Sequence, residues 1–276
     1  MTMLCEVCFH HCRLEEGQTG RCRARKASDE KSISVNYGKI TSIALDPIEK
    51  KPLRRFFPGS KILSLGSFGC NLSCPFCQNH SISMIGEDKA DTQLLLPEEA
   101  VSIAIQEKQR GNIGIAFTYN EPMIGYEYVR DTAKLIKAEG MKNVVVTNGC
   151  VSRATALEVL PLIDAFNIDL KTFQDHTYKK LGGDLETVKA FIRLAYQYAH
   201  VELTTLIVPG MNDSIEEMER LSSWIASIDP EIVLHVSRFF PAWKMEDTLP
   251  TRIELVYKLA EVASKNLKYV YTGNCS

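Results

Sequence analysis

Three cysteines, Cys70, Cys74 and Cys77, share the run Gly69-Cys70-Asn71-Leu72-Ser73-Cys74-Pro75-Phe76-Cys77, and no further cysteine follows until Cys150. The spacing is Cys-x3-Cys-x2-Cys. Thiolates this close on one loop suit a metal centre, and three of them can hold three corners of a cubane [4Fe–4S] cluster, where a closed cluster takes four. The remaining iron is then open to a small molecule that brings its own donors, by the logic that separates catalytic from structural zinc. Two simpler chemistries share the spacing: a three-cysteine zinc site completed by His80, or a set of buried thiols. Upstream, Cys5, Cys8, Cys12 and Cys22 offer four more thiolates, with Gly17 and Gly20 supplying turns. Four ligands imply a closed structural site, either zinc or an auxiliary [4Fe–4S] cluster, in which His10 or His11 could replace one cysteine. No electron-relay role is visible from the residues, which tips the expectation toward zinc. Metal binding there would stabilise a segment too short to fold on its own core. Arg13, Arg21, Arg23, Arg25 and Lys26 are expected to offset the thiolate charge and otherwise to face water, with a docking surface for an acidic partner as the sharper reading. Cys150 reads as a buried small hydrophobe and Cys275 as a free thiol.

These side chains need a scaffold, and 276 residues with 45% hydrophobic content can bury one of good size. A net charge of −2 gives no global drive toward nucleic acid or an anionic membrane. The first residues lack the apolar centre of a signal peptide, and no apolar stretch is long enough to span a bilayer, so a cytoplasmic location is expected. Nine cysteines, seven of them in two groups, then point to metal ligation in place of disulfides. Oxygen sensitivity would follow from an iron–sulfur centre.

Residues 1–60 read as a small cysteine-rich appendage with short strands near 32–37 and 38–44, ending in a Pro/Gly-marked stretch from Pro47 to Gly59. From Lys61 a strand–loop–helix pattern repeats six times and makes 61–276 one core domain. The strands are expected at 61–66, 113–118, 143–147, 164–169, 201–207 and 232–236. The helices are expected near 97–110, 124–139, 152–160, 184–198, 213–227 and 250–266. Asp213 or Ser214 suits the N-cap of the fifth helix, and Ile253, Val256, Tyr257 and Ala260 make one face of the last. Such alternation implies an α/β fold with a parallel sheet and right-handed crossovers, here a partial (β/α)6 barrel.

A parallel barrel builds its site at the C-terminal ends of its strands, where the unusual residues of this chain fall. The first strand runs into the three cysteines, the second into Tyr119-Asn120-Glu121-Pro122 and the third into Thr147-Asn148-Gly149. Asp169-Leu170-Lys171, Pro209-Gly210-Met211-Asn212-Asp213 and His235-Val236-Ser237-Arg238 follow the other three. Taken singly, Asn148-Gly149 and Pro209-Gly210 are turns, Glu121 a loop carboxylate and Lys171 a surface lysine; His235 could as well be a satisfied barrel-lining residue.

The cysteine run, with Phe76 before its last cysteine, resembles the signature of the radical S-adenosylmethionine (SAM) enzymes, and the likeness extends from about Lys61 onward. It implies the same partial barrel, and an open iron that chelates the amino and carboxylate groups of SAM. One-electron cleavage of the sulfonium would give methionine and a 5′-deoxyadenosyl radical that abstracts hydrogen. Tyr119-Asn120-Glu121-Pro122 stands where the family has Gly-Gly-Glu-Pro, so Glu121 is expected to accept from the SAM amino group. Asp169-Leu170-Lys171 is similar to the triplet of glycyl-radical activating enzymes, which implies Lys171 on the SAM carboxylate with Asp169 orienting it. Val146 replaces the aspartate that in those enzymes helps to hold a monovalent cation, which argues against that cation here. Phe76 and the backbone at Gly210 are expected against the adenine, Asn148 among the cofactor-binding residues, and Arg238 near the ribose or substrate.

Cys5-x2-Cys8, Asp46-Pro47-Ile48-Glu49-Lys50-Lys51-Pro52 and Gln78-Asn79 after the cluster loop together resemble the AmmeMemoRadiSam-system radical SAM enzymes, often described as pyruvate formate-lyase-activating-enzyme-like. The resemblance implies an anaerobic oxidoreductase that takes hydrogen from a glycine of a partner protein, fed by a flavodoxin- or ferredoxin-type donor. Radical modification of another protein or a small molecule is the alternative, and a non-catalytic iron–sulfur or zinc module is the alternative from another class.

Overall fold

Each of the six apolar, β-branched runs becomes a strand within two residues of its expected bounds, in a computed structural model that describes residues 2–275. One eight-stranded sheet holds them in chain order: β1 (Ser42–Pro47), β2 (Lys61–Gly66), β3 (Asn112–Phe117), β4 (Lys142–Thr147), β5 (Ala165–Asp169), β6 (His200–Ile207), β7 (Val233–Arg238) and β8 (Val270–Gly273). Strands β2 to β8 are mutually parallel, and β1 pairs antiparallel with β2. The sheet does not close, so β1 and β8 are its edges. Two features go beyond six repeats. The short β8 adds a seventh parallel strand, and the expected strand 38–44 splits into Lys39–Ile40, paired with Gln93–Leu94, and β1. The expected 1–60 appendage therefore contributes one strand to the main sheet.

The crossovers carry α1 (Pro97–Gln106), α2 (Tyr126–Ala138), α3 (Arg153–Val159), α4 (Leu185–Ala195), α5 (Ile215–Ala226) and α6 (Ile253–Ala263). Val188, Phe191, Ile192 and Ala195 give α4 an apolar stripe at helical spacing, all buried. Its N-cap Asp184 accepts from Thr187 N at 2.8 Å. Ser214, and not Asp213, caps α5, accepting from Glu217 N at 3.2 Å. The buried face of α6 is Val256, Leu259, Val262 and Ala263. The expected face is thus rotated, because Tyr257 is 53% exposed.

Below the site, the segment after β1 plugs the barrel. Ile48, Leu53 and Phe56 pack with Ile62, Ala116, Val144 and Ala165 of four strands, where two alanines leave them room. Two amides of the segment, Arg54 N and Arg55 N, donate to the buried Glu202 carboxylate at 2.9 and 2.7 Å. His200 Nε2 and His235 Nε2 meet the same carboxylate at 2.9 and 2.6 Å. Burial pushes this carboxyl up, but the four donors outweigh it and hold Glu202 down at about 2.

The N-terminal segment folds as two strand pairs, Thr2–Leu4 with Arg13–Glu15 and Arg25–Ser28 with Lys31–Ser34. One of its arginines departs from expectation. Arg25 is 3% exposed and does not face water; its Nη1 donates to both carboxylate oxygens of Glu127 at 2.7 Å, tying the segment to α2. No described helix is long and apolar enough to cross a membrane.

Candidate functional site

At the C-terminal ends of the strands lies a cavity of about 580 Å³. Cys70, Cys74 and Cys77 line it together with Phe76, Glu121, Asn148, Asp169 and Lys171, so loops after four strands converge there. Thr204, His235 and Thr272 extend the wall across β6, β7 and β8. Two predicted residues lie elsewhere. Gly210, at φ +71°, is exposed in its turn, and Arg238 donates through Nε to Thr251 O at 2.7 Å with its guanidinium over Phe240. Neither lines the cavity.

Donors converge on the sulfurs. Leu72 N and Asn148 Nδ2 approach Cys70 Sγ at 3.4 and 3.6 Å, and Ser83 Oγ lies 3.2 Å from Cys77 Sγ. Burial, with a smaller effect of the Glu121 carboxylate, pushes the Cys70 thiol well up. Burial likewise raises Cys74 to about 12, opposed by Lys171. A bound metal cation would hold such thiols as thiolates. One buried and two half-buried cysteines, two of them with donors on their sulfurs, facing an open cavity fit a cubane held at three corners. Single-ion zinc fits less well. His80 does not line the cavity and stacks on Trp243 at 5.6 Å and 7°. Among the described residues no group of three or more His, Cys, Asp or Glu side chains is arranged to hold one metal ion.

Glu121 is 2% exposed and locks two strand ends together. Its Oε1 accepts from Thr147 Oγ1 at 2.7 Å and from Met123 N at 3.0 Å, while Oε2 accepts from Asn148 N at 2.7 Å. A carboxylate has about four acceptor positions, so one remains for a ligand. Burial raises this group to about 7 against those three donors. Lys171 Nζ donates to Asp169 Oδ2 at 2.7 Å. Burial works against its charge, but Asp169 and the Cys74 sulfur outweigh that and raise it above the usual lysine range.

Several residues around the cavity were given no role of their own in the sequence reading, though Tyr119, Asn120, Asp46 and Lys51 stand in its motifs. Tyr119 takes φ +72° where the family has a glycine, and packs onto Gly66, whose Cβ would lie 2.7 Å from Tyr119 Cδ2. Its hydroxyl donates to Asp46 Oδ2 at 2.7 Å, which also accepts from the buried Lys51 Nζ at 2.8 Å. Asn120 Nδ2 donates to Phe68 O and Gly69 O, both at 3.1 Å, and its Oδ1 accepts from Ser67 N at 3.0 Å. Asn71, fully buried, accepts from Asn148 Nδ2 at 2.9 Å and donates to Cys150 O at 2.8 Å. The available signal was an asparagine directly after the first cluster cysteine. His235 is satisfied by Glu202 and also lines the cavity. Cys150 is fully buried in the main core, as expected.

Comparison with known proteins agrees with this geometry. The family model described as "Radical SAM superfamily" matches residues 65–222. The uncharacterized protein MJ0808 of Methanocaldococcus jannaschii is 40% identical over 274 residues, covering 98% of this chain and 80% of that protein. Pyruvate formate-lyase 1-activating enzyme of Escherichia coli K12 is 27% identical over 171 residues, or 60% of this chain and 69% of that enzyme. Among solved structures, a radical SAM methyltransferase from Sphaerobacter thermophilus aligns at TM-score 0.60 and 15% identity over 79% of this chain and 67% of its own, a likeness of fold.

Proposed function

Because this chain belongs to the radical SAM superfamily, we propose that it reductively cleaves SAM and directs the resulting radical to a hydrogen atom of a partner protein. The observation that carries this reading is one cavity wall shared by Cys70, Cys74, Cys77, Glu121 and Lys171. A cluster on the three thiolates supplies the single electron and one open iron. The chain's own groups do the rest. Lys171, kept charged by Asp169, is a compact cation for the methionine carboxylate. The remaining acceptor position of Glu121 takes an N–H of the amino group, while its other bonds fix the carboxylate in place. Phe76, buried on the same wall, offers an aromatic face to the adenine.

A protein substrate is favoured over a small molecule by the open edge of the sheet. Glu49 and Lys50, just past β1, and Thr272 to Asn274, at β8, line the same cavity from the two sides of the gap. A loop of another protein could enter between them. The 27% identity to a pyruvate formate-lyase-activating enzyme points the same way, with a glycine Cα–H as the donor.

Anaerobically reconstituted protein, dithionite and SAM should yield 5′-deoxyadenosine and methionine, and Cys74→Ala should yield neither. Cluster-loaded protein that binds SAM but never forms 5′-deoxyadenosine would overturn the reading. Turnover on a small molecule with no protein partner present would overturn its protein-directed half.

A further inference from the structure

The groups assigned to SAM leave the other end of the cavity without a task, and the sheet register places that end. Asp169 on β5 pairs with Thr204 on β6, Thr204 with His235 on β7, and His235 with Tyr271 on β8. With neighbouring strands about 4.8 Å apart, His235 stands roughly 10 Å from the aspartate that holds Lys171, toward the open edge. Thr204, His235 and Ser237 line the cavity there, and Arg54 of the plug joins them.

Glu202 roots this group. A carboxylate has about four acceptor positions, and Arg54 N, Arg55 N, His200 and His235 fill those of Glu202. No place is left on it for a guanidinium. The Arg54 main chain is pinned while its side chain runs on to the cavity wall, with the guanidinium 6.0 Å from the Tyr271 ring centroid. Tyr271 in turn stacks on His235, 5.8 Å away at 30°. The other acids of the plug are occupied. Asp46 takes Lys50, Lys51 and Tyr119, and Glu49 accepts from Gly59 N at 2.7 Å. His235 is 5% exposed, and with Nε2 on Glu202 its Nδ1 has no partner among the described residues. The wall beside Arg54 therefore asks for a polar ligand.

We propose that Arg54 is a specificity residue that binds a carboxylate of the substrate: an aspartate or glutamate side chain on the partner loop, within a few residues of the one that loses hydrogen. The inference rests on the protein-directed reading above and adds what the loop must carry. A guanidinium takes a carboxylate through two parallel N–H bonds. A doubly charged phosphate would meet a single guanidinium and, at Nδ1 of a neutral His235, an acceptor, so the singly charged group fits better. With β6 between the Lys171 end and the His235 end of the cavity, the carboxylates of SAM and of the loop do not compete.

Fluorescein-labelled heptapeptides with a central Cα-dideuterated glycine test this. One carries aspartates two residues to either side of the glycine, a second asparagines and a third lysines in the same places. Binding is read by anisotropy on cluster-loaded protein with SAM and no reductant. The aspartate peptide should bind about 10- to 100-fold more tightly than the asparagine peptide, the margin of a charge-assisted hydrogen bond. Arg54→Ala should erase the difference, and Arg54→Glu should favour the lysine peptide. Both substitutions keep the main-chain amide that holds Glu202. Equal affinity of the wild type for the first two peptides, a preference that survives Arg54→Ala, or no binding of any peptide overturns the proposal. Dithionite is then added, and deuterium in 5′-deoxyadenosine reports the radical step separately. An Arg54-dependent preference with no deuterium transferred sinks the radical reading and leaves the carboxylate site standing.

Discussion

Lys171 and Tyr119 carry different kinds of cost at the residue scale. Lys171 is held beside Asp169 at 2.7 Å with only 17% of its side chain exposed, so its charge is available to a carboxylate in poorly screened surroundings. A charge-assisted hydrogen bond contributes about 1.5–3 kcal/mol. Lys171→Ala should therefore weaken SAM binding about 10- to 100-fold, read by anaerobic calorimetry, with iron content unchanged; equal affinity would remove Lys171 from the carboxylate. Tyr119 sits in the left-handed region, which costs a non-glycine residue roughly 1–2 kcal/mol. The Asp46–Lys51–Tyr119 bonds offset that strain and replace what two glycines would give for free. Burial first, then the Asp46 carboxylate, raises the Tyr119 hydroxyl to about 12, so it stays protonated and donates across the physiological range. Tyr119→Phe should lower unfolding free energy by about 1–2 kcal/mol, measured in urea, with the φ strain left unopposed. An unchanged denaturation midpoint would mean that the hydroxyl does not hold the loop.

The plug is the element whose work was least visible beforehand. Leu53 is fully buried against strand residues, so Leu53→Ala should cost about 2–5 kcal/mol, and a shift below 1 kcal/mol in urea unfolding would show the plug to be loosely seated. Glu202 beneath it makes stability depend on pH. Its folded value, about 2, lies below the usual 4.5, so its contribution is full above about pH 5 and is lost as pH falls from there toward 2. The shift corresponds to on the order of 3 kcal/mol. Glu202→Gln should lower stability at pH 7 and flatten its fall between pH 5 and 2, and an unchanged acid-unfolding curve would contradict the assignment. The six strand–helix units were legible because β-branched runs and helical spacing are local signals. The plug was not, because residues 48–56 scatter three apolar side chains among one proline and five charged residues with no helical or strand period, and only the barrel interior decides which are buried. The last helix's face was misjudged because Tyr257 is apolar enough to fit the stripe, while packing chose Leu259. β8 escaped notice because its four residues become a strand only by pairing with β7.

Across the whole molecule, the parts of the site that were legible are those whose chemistry is carried by residue type: thiols, a carboxylate and a lysine at strand ends. The supports were not, because Asn71, Asn120 and Arg25 act through partners distant in the chain, such as Glu127 for Arg25. These long links bear on whether residues 61–276 stand alone. Removing residues 1–60 would take away β1 and leave β2 as an unpaired edge, a template for association with other chains. It would also uncover Ile62, Ala116, Val144 and Ala165 by deleting Ile48, Leu53 and Phe56, and strip Glu202 of two of its four donors. Phe68 and Ile124, fully buried against Cys22 and Ala24, would meet water. Each fully exposed large apolar side chain costs about 1.5–3 kcal/mol, and a domain's whole stability is about 5–15 kcal/mol. A 61–276 fragment should therefore aggregate or lack a cooperative thermal transition by circular dichroism, where the full chain should melt in one step. A fragment that elutes as a monomer and melts cooperatively would show instead that the barrel is self-sufficient and that the N-terminal segment is only docked onto it.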